Sequence, residues 1–168
     1  MRIYLIGYMA SGKSTISGKL ARALGYSRVD LDEMFEERYK ITVSDFFNKY
    51  GQQNFRQLES QLLKETISLN NAVISCGGGT PCFYDNMYWM NHNGITVYLK
   101  LPAETLLSRL QQSRKKRPLI AGKSTEELPG FIKEQLRQRN IYYSQAQIIF
   151  PALSADIGHL KELILAKS

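Results

Sequence analysis

The chain is poor in cysteine and tryptophan, and it has no long apolar run. Two cysteines, Cys76 and Cys82, and one tryptophan stand among 168 residues. Neither cysteine has a second Cys or a His at metal-ligand spacing, which excludes a zinc finger and a disulfide scaffold. Both read as reduced thiols, and a cytoplasmic protein is expected. No apolar stretch approaches the roughly 20 residues that a membrane-spanning helix needs. The run Ile3-Tyr4-Leu5-Ile6 is too short for a signal-peptide core and no small-residue cleavage site follows it, so a buried first strand explains it better. Internal repeats and low-complexity linkers are also missing, and residues 1–168 read as one domain.

What is present is an ordinary globular balance, with 43% hydrophobic and 22% charged residues. The net charge of +7 admits nucleic-acid or membrane-surface binding on one side and a site for polyanionic small molecules on the other. The densest basic run, Arg114-Lys115-Lys116-Arg117, has no aromatic residue within it. Base-stacking surfaces interleave the two, so small-molecule binding is favoured, with neither a nucleic acid nor a membrane as partner.

Strand and helix signals alternate along the chain, which predicts an α/β fold with a mainly parallel sheet. Strands are expected at 2–6, 28–30, 72–76, 95–99 and 147–150. Helices are expected at 13–24, closed by Gly25, at 31–39, at 52–69 with Phe55, Leu58, Leu62 and Leu63 on one face, at 103–114, and at 157–165. Ser44 is placed as the cap of a short helix ending at Gly51. Ser124 and Glu127 form a capping-box pattern for a helix reaching Tyr143, with Pro129 breaking its early turns.

Gly7-Tyr8-Met9-Ala10-Ser11-Gly12-Lys13-Ser14 fits the phosphate-binding pattern G-x-x-x-x-G-K-[ST], between a strand and a helix as that pattern requires. The glycines let successive N–H groups face one point, and the helix adds its positive end. Lys13 is placed to reach the β- and γ-phosphates and Ser14 to offer a hydroxyl to Mg²⁺. Gly7, Ser11, Gly12 and Thr15 complete the candidate ATP-binding set. The motif names the phosphate donor and leaves the acceptor open.

Asp30 and Asp32 follow the second strand, at the end of the sheet where ligands collect. Read alone, they serve equally as metal-holding and proton-accepting carboxylates or as favourable charges at a helix start. Arg56 and Glu59 are three apart on one helix and share a face. Gly77-Gly78-Gly79 ends a strand where bare backbone allows close approach. Arg139 and Tyr143 are four apart on another helix. Arg117 lies in a loop between helices, where a lid would be expected, but a charged loop is usually just solvated, and on that ground alone the solvated loop is favoured.

In order and spacing these segments resemble shikimate kinase: a short phosphate loop, D-x-D (Asp30, Asp32), F-R-x-x-E (Phe55-Arg56, Glu59), G-G-G, R-P-L (Arg117-Pro118-Leu119) and R-x-x-x-Y (Arg139, Tyr143). The resemblance covers residues 3–146. It implies a three-layer α/β/α P-loop kinase of the nucleoside-monophosphate-kinase type, with a central parallel sheet of about five strands. A helical substrate-binding region at 31–62 and a lid at 112–125 are implied with it. So is transfer of the γ-phosphoryl group of ATP to the 3-hydroxyl of shikimate, with Mg²⁺ as cofactor.

The resemblance gives Lys13, Asp32 and Arg117 catalytic roles, Asp32 as the base. Arg56, Arg139 and the backbone of Gly78 would hold shikimate together with Asp32, supported by Glu59, Gly77 and Gly79. Ser14 would ligate the metal directly and Asp30 through water, and Arg117 would reach ATP from the lid. Three departures stand out: Gly51-Gln52 before the Phe-Arg pair, Ile141-Tyr142 between Arg139 and Tyr143, and Leu110 where the family carries an arginine beside the adenine, with Arg109 and Arg114 nearby. A gluconate or nucleotide kinase is the nearest alternative, and an ATP-dependent nucleic-acid module a further one. No exposed heptad is present, and a monomer is expected.

Overall fold

β1 (Arg2–Ile6) lies at the centre of the sheet. Ile3, Tyr4, Leu5 and Ile6 are all buried, as an unalternating apolar run demands of a strand covered on both faces. It pairs in parallel with β3 (Ala72–Ser75) and β4 (Ile95–Lys100). β2 (Ser27–Asp30) lies outside β3, and β5 (Ile148–Pro151) outside β4. The computed structural model, which describes residues 1–113 and 118–168, thus has a five-stranded, all-parallel sheet of order β2-β3-β1-β4-β5. Edge strand β2 exposes Ser27 and Arg28, polar positions of the kind that blunt an unpaired edge.

Helices fill the connections: α1 (Lys13–Leu24), α2 (Leu31–Tyr39), α3 (Val43–Glu65), α4 (Asn86–Asn93), α5 (Ala103–Gln112), α6 (Leu128–Tyr143) and α7 (Ile157–Leu165). Short 3₁₀ turns lie at Thr66–Ser68, Thr80–Cys82 and Pro118–Ile120. The connection from β1 through α1 to β2 steps across β3, whereas that from β3 through α4 to β4 steps across β1. Right-handed crossovers in opposite directions lie on opposite faces of the sheet. The C-terminal ends of β1 and β3 therefore flank the crevice in which open α/β sheets bind ligands. The phosphate loop leaves β1 and the glycine triplet leaves β3 at that crevice.

Several helix boundaries differ from the sequence expectation. Thr42, and not Ser44, caps α3, accepting the Asp45 N–H at 3.0 Å. The Glu36 carboxylate takes the Val43 N–H at 3.0 Å, so two free donors of that helix end are satisfied by side chains. Gly51 breaks the helical backbone within α3 at φ 81°, ψ 168°, where the short helix was expected to end. Beyond it α3 stops at Glu65 and tightens into the Thr66–Ser68 turn, short of residue 69. Ser124 and Glu127 exchange the reciprocal bonds of a capping box, at 3.1 and 3.2 Å, but regular helix begins only at Leu128, with Pro129 in its first turn.

α4 occupies a stretch, Asn-Met-Tyr-Trp-Met-Asn-His-Asn, in which no helix was expected. Its asparagines are weak helix formers. Tertiary contacts supply what propensity lacks: Met87 and Met90 are buried, and the wholly buried Asn86 accepts from Ser60 at 2.7 Å and donates to the Thr80 carbonyl at 2.9 Å.

The main core surrounds β1, β3 and β4 and includes Leu20, Leu63, Tyr143, Leu160 and Ile164. A second cluster of Phe35, Phe46, Phe55 and Leu62 joins α2 to α3. There Phe35 meets Phe46 and Phe55 edge-on, each at 5.0 Å between centroids, a favoured aromatic geometry. Adjacent residues Leu62 and Leu63 thus face different cores, and the second half of α3 is the beam between them. No helix among the described residues is long and apolar enough to cross a membrane.

Candidate active site

The phosphate loop bends where the sequence permits. Gly7 sits at φ 149°, and a Cβ there would lie 2.9 Å from the Leu99 carbonyl oxygen. Gly12, at φ 94°, precedes α1, whose first turn has no side-chain cap and no acidic residue. By contrast α2 and α3 are both capped by side chains. The N-terminus of α1 is thereby kept for an outside anion. Lys13 Nζ donates to the carbonyls of Gly7 and Tyr8 at 2.8 and 2.9 Å, and to Ser11 Oγ at 3.4 Å. Arg109 donates to the Ala10 carbonyl at 3.3 Å, whereas its neighbour Leu110 is buried in the core.

Asp30 and Asp32 divide the two readings that the sequence left open. Asp30 caps α2, Oδ1 accepting from the Asp32 and Glu33 N–H groups at 2.9 and 3.3 Å. Its other oxygen accepts from Ser14 Oγ at 3.3 Å, so the cap is also part of the phosphate-loop floor. Asp32 lines both cavities of the crevice. One, of about 260 Å³, runs along Gly12, Lys13, Ser14 and Thr15. The other, of about 410 Å³, is walled by Phe47, Phe55, Arg56, Glu59, Leu119 and Arg139. Met9, Gly77 and Gly78 border both as well.

The larger cavity carries two buried guanidinium groups, 4% exposed for Arg56 and 8% for Arg139. Arg56 Nη1 donates to Glu59 Oε1 at 2.8 Å, and the group packs against the rings of Phe83, Phe55 and Phe47 at 4.5 to 5.7 Å. Arg139 lies 5.3 Å from the centre of the Tyr8 ring. Arg56 Nε and Arg139 Nη1 are both buried without a hydrogen-bond partner. Buried donors are rarely left so, and two of them on cationic groups facing one cavity mark a receptor for an anion.

Each glycine of the triplet lies close against its neighbours, Gly77 and Gly79 most tightly. A Cβ on Gly77 would come within 2.9 Å of Glu59 Oε2 and 3.0 Å of Thr80 Oγ1. One on Gly78 would lie 3.2 Å from Arg139 Nη1, and one on Gly79 would collide with the Arg56 guanidinium. None of the three has a positive φ; the need is for space. Gly78 is also anchored, its carbonyl accepting from Tyr143 at 2.5 Å. Burial pushes that phenol well above the usual tyrosine range, so it stays a donor.

With these residues gathered at one crevice, the profile of the shikimate kinase family matches residues 9–160. The chain belongs to the shikimate kinase family. A shikimate kinase of Parabacteroides distasonis is 45% identical over 151 residues, 90% of this chain and 87% of that protein. The crystal structure of shikimate kinase from Bacteroides thetaiotaomicron matches at a TM-score of 0.92 and 42% identity, over 98% of each chain. Shikimate kinase from Acinetobacter baumannii in complex with shikimate matches at 0.87 and 30% identity, over 99% of this chain and 91% of that one. The resemblance read from the motif order and the expected P-loop kinase fold are thereby borne out.

All the expected site residues but one face this crevice or buttress it. Arg117 lies outside the described residues, as does the rest of the basic run. From the region expected to form the lid, Leu119 reaches the wall of the larger cavity. Residues that the sequence did not single out also matter. Tyr8 lies under Arg139, and Thr80, Asn86 and Ser60 form a buried polar chain behind Glu59. Tyr8 and Thr80 are signalled only by their place in or beside a glycine-rich loop, and Ser60 and Asn86 by nothing local.

Proposed function

We propose that the protein transfers the γ-phosphoryl group of ATP to the 3-hydroxyl of shikimate, giving shikimate 3-phosphate and ADP. The observation that carries this is the position of Asp32, which borders both the phosphate-loop cavity and the cavity holding the unpartnered donors of Arg56 and Arg139. A donor phosphate and an anionic, hydroxylated acceptor would meet at that carboxylate. The acceptor named for the Acinetobacter relative fits the second cavity in charge and in kind.

Arg56 and Arg139 would grip the acceptor carboxylate, for which a guanidinium fork is well shaped, and Gly78 would meet the ring hydroxyls with its backbone. Asp32 would accept the proton as the acceptor oxygen bonds to the γ-phosphorus and the bond to the bridging oxygen of ADP breaks. Lys13 and the N-terminus of α1 would hold the β- and γ-phosphates, and Arg117 would add positive charge from the lid. Transfer of this kind needs positioning and charge more than covalent chemistry.

Ser14 and Asp30 suit Mg²⁺: a hydroxyl and a carboxylate, hard oxygen donors, sit together at 3.3 Å beside the phosphate loop. No cluster of three His, Cys, Asp or Glu side chains fit for a metal occurs among the described residues. That accords with an ion held mostly by phosphates and water. Such an ion would neutralise phosphate charge, with Ser14 as direct ligand and Asp30 through water.

The test is a coupled ADP-release assay with ATP and Mg²⁺ against a panel of acceptors. Stimulation by shikimate is expected. Stimulation by gluconate or a nucleoside monophosphate, with none by shikimate, would refute the assignment.

A further inference from the structure

Thr80 touches neither cavity, and it is wholly buried. Its hydroxyl donates to Glu59 Oε2 at 2.7 Å, while Glu59 Oε1 takes Arg56 at 2.8 Å. Both carboxylate oxygens of a 3% exposed glutamate are therefore committed, one to the arginine and one to the threonine. A carboxylate held only by Arg56 would be free to rotate and to carry the guanidinium with it. Held at both ends, it fixes where the remaining donors of Arg56 point.

Thr80 is itself held. Its carbonyl accepts from Asn86 at 2.9 Å, and Asn86 accepts from Ser60 of α3 at 2.7 Å. Ser60 follows Glu59 directly, so the chain of bonds leaves α3, passes through α4 and the Thr80–Cys82 turn, and returns to α3. The glycine triplet leaves room for it. A Cβ on Gly77 would strike both atoms of the Thr80–Glu59 bond, and one on Gly79 would strike Arg56. Phe83, just past the same turn, packs 4.5 Å from the Arg56 guanidinium carbon.

We infer that Thr80 is a positioning residue for acceptor recognition, acting through Glu59 to aim Arg56 at the acceptor carboxylate. This rests on the reading of Arg56 as that carboxylate's receptor. A helix cap or a plain core threonine would not explain why the hydroxyl is spent on the carboxylate that orients the receptor arginine, nor why Gly77 makes space for the contact.

The experiment compares Thr80→Val, which keeps the shape and removes the hydroxyl, with Thr80→Ser and Arg56→Lys. Shikimate binding is read by calorimetry, and kcat and both KM values by steady-state kinetics. Thr80→Val is expected to weaken shikimate binding about tenfold, the cost of losing a hydrogen bond to a charged group. Its ATP KM should stay within about twofold of the parent protein, and Thr80→Ser should restore shikimate affinity. Unchanged shikimate affinity in Thr80→Val, equal losses toward ATP and shikimate, or failure of serine to rescue would each overturn the inference. Weakened binding in Arg56→Lys beside normal binding in Thr80→Val overturns the role of Thr80 alone. Normal binding in Arg56→Lys overturns the receptor reading itself. Should Thr80→Val not fold, Thr80→Ala takes its place, and binding as tight as in Thr80→Ser overturns the proposal.

Discussion

Glu59 grips Arg56 at 2.8 Å with both side chains almost wholly removed from water. The arginine still has a buried Nε–H without a partner. A pair arranged for stability alone would leave no donor open. Removing one partner strands the other charge, so Glu59→Leu should lower stability by about 3–5 kcal/mol. Adding Arg56→Met to that variant should recover much of the loss, because apolar replacements often match a buried pair. Urea unfolding of the three variants checks this. The recovered double variant should still fail to bind shikimate.

Asp32 stands where the two cavities meet, so its substitution should act on the chemical step. Asp32→Asn keeps the shape and removes the base. We expect kcat to fall by roughly 10²–10⁴, with the ATP KM changed little. A large rise in the ATP KM with kcat retained would place Asp32 in nucleotide binding instead.

Lys13 is expected to behave differently. It is tied into the phosphate loop through the Gly7 and Tyr8 carbonyls and lines the smaller cavity but not the larger one. Lys13→Met should abolish nearly all turnover and weaken nucleotide binding, while shikimate binding measured without nucleotide stays as in the parent protein. Equal loss of both ligands would mean that the substitution had disturbed the whole crevice.

The alkaline limb of stability should report the two thiols and Tyr143. Burial raises Cys82 to about 11, although Arg139 pulls it down, and burial lifts Cys76 well above the ordinary thiol range. Burial likewise raises the Tyr143 phenol. All three ionise more readily in the unfolded chain. The Cys82 contribution is therefore complete below the ordinary thiol range near 8.5–9 and is lost as pH rises toward 11. Those of Cys76 and Tyr143 begin to fall only above the ordinary thiol and tyrosine ranges and are lost at higher pH. Urea midpoints should fall between pH 8.5 and 10.5, and Cys82→Ala should make the decline shallower. A midpoint flat across that interval would contradict the burial of these groups.

Much of the molecule was legible in the chain because local chemistry and final structure agree there. The apolar run at 3–6 reads best as a buried strand, and it is one covered on both faces. The spacing of Gly7, Gly12, Lys13 and Ser14 admits only a loop that curls its N–H groups toward one point. Gly25 and the span Ile157–Leu165 lie where capping and periodicity put them. α4 was illegible because its helix is imposed by a buried Asn86 and two methionines, which no local preference announces.

Sequence by itself determined the phosphate donor and the order of the motifs, since both depend on residues close together in the chain. The tertiary structure decided how those motifs meet. Opposite crossovers put the ends of β1 and β3 at one crevice, which brings Asp32 between the two cavities and turns Arg56 and Arg139 toward the same one. It also decided why three glycines stand together. Sequence suggested bare backbone for a ligand; all three glycines do line the larger cavity, and the space a Cβ would need is taken by Glu59, Thr80, Arg139 and Arg56. Contacts between residues twenty or more positions apart, such as Thr80 with Glu59, leave no periodicity to read, because only the folded sheet makes them neighbours.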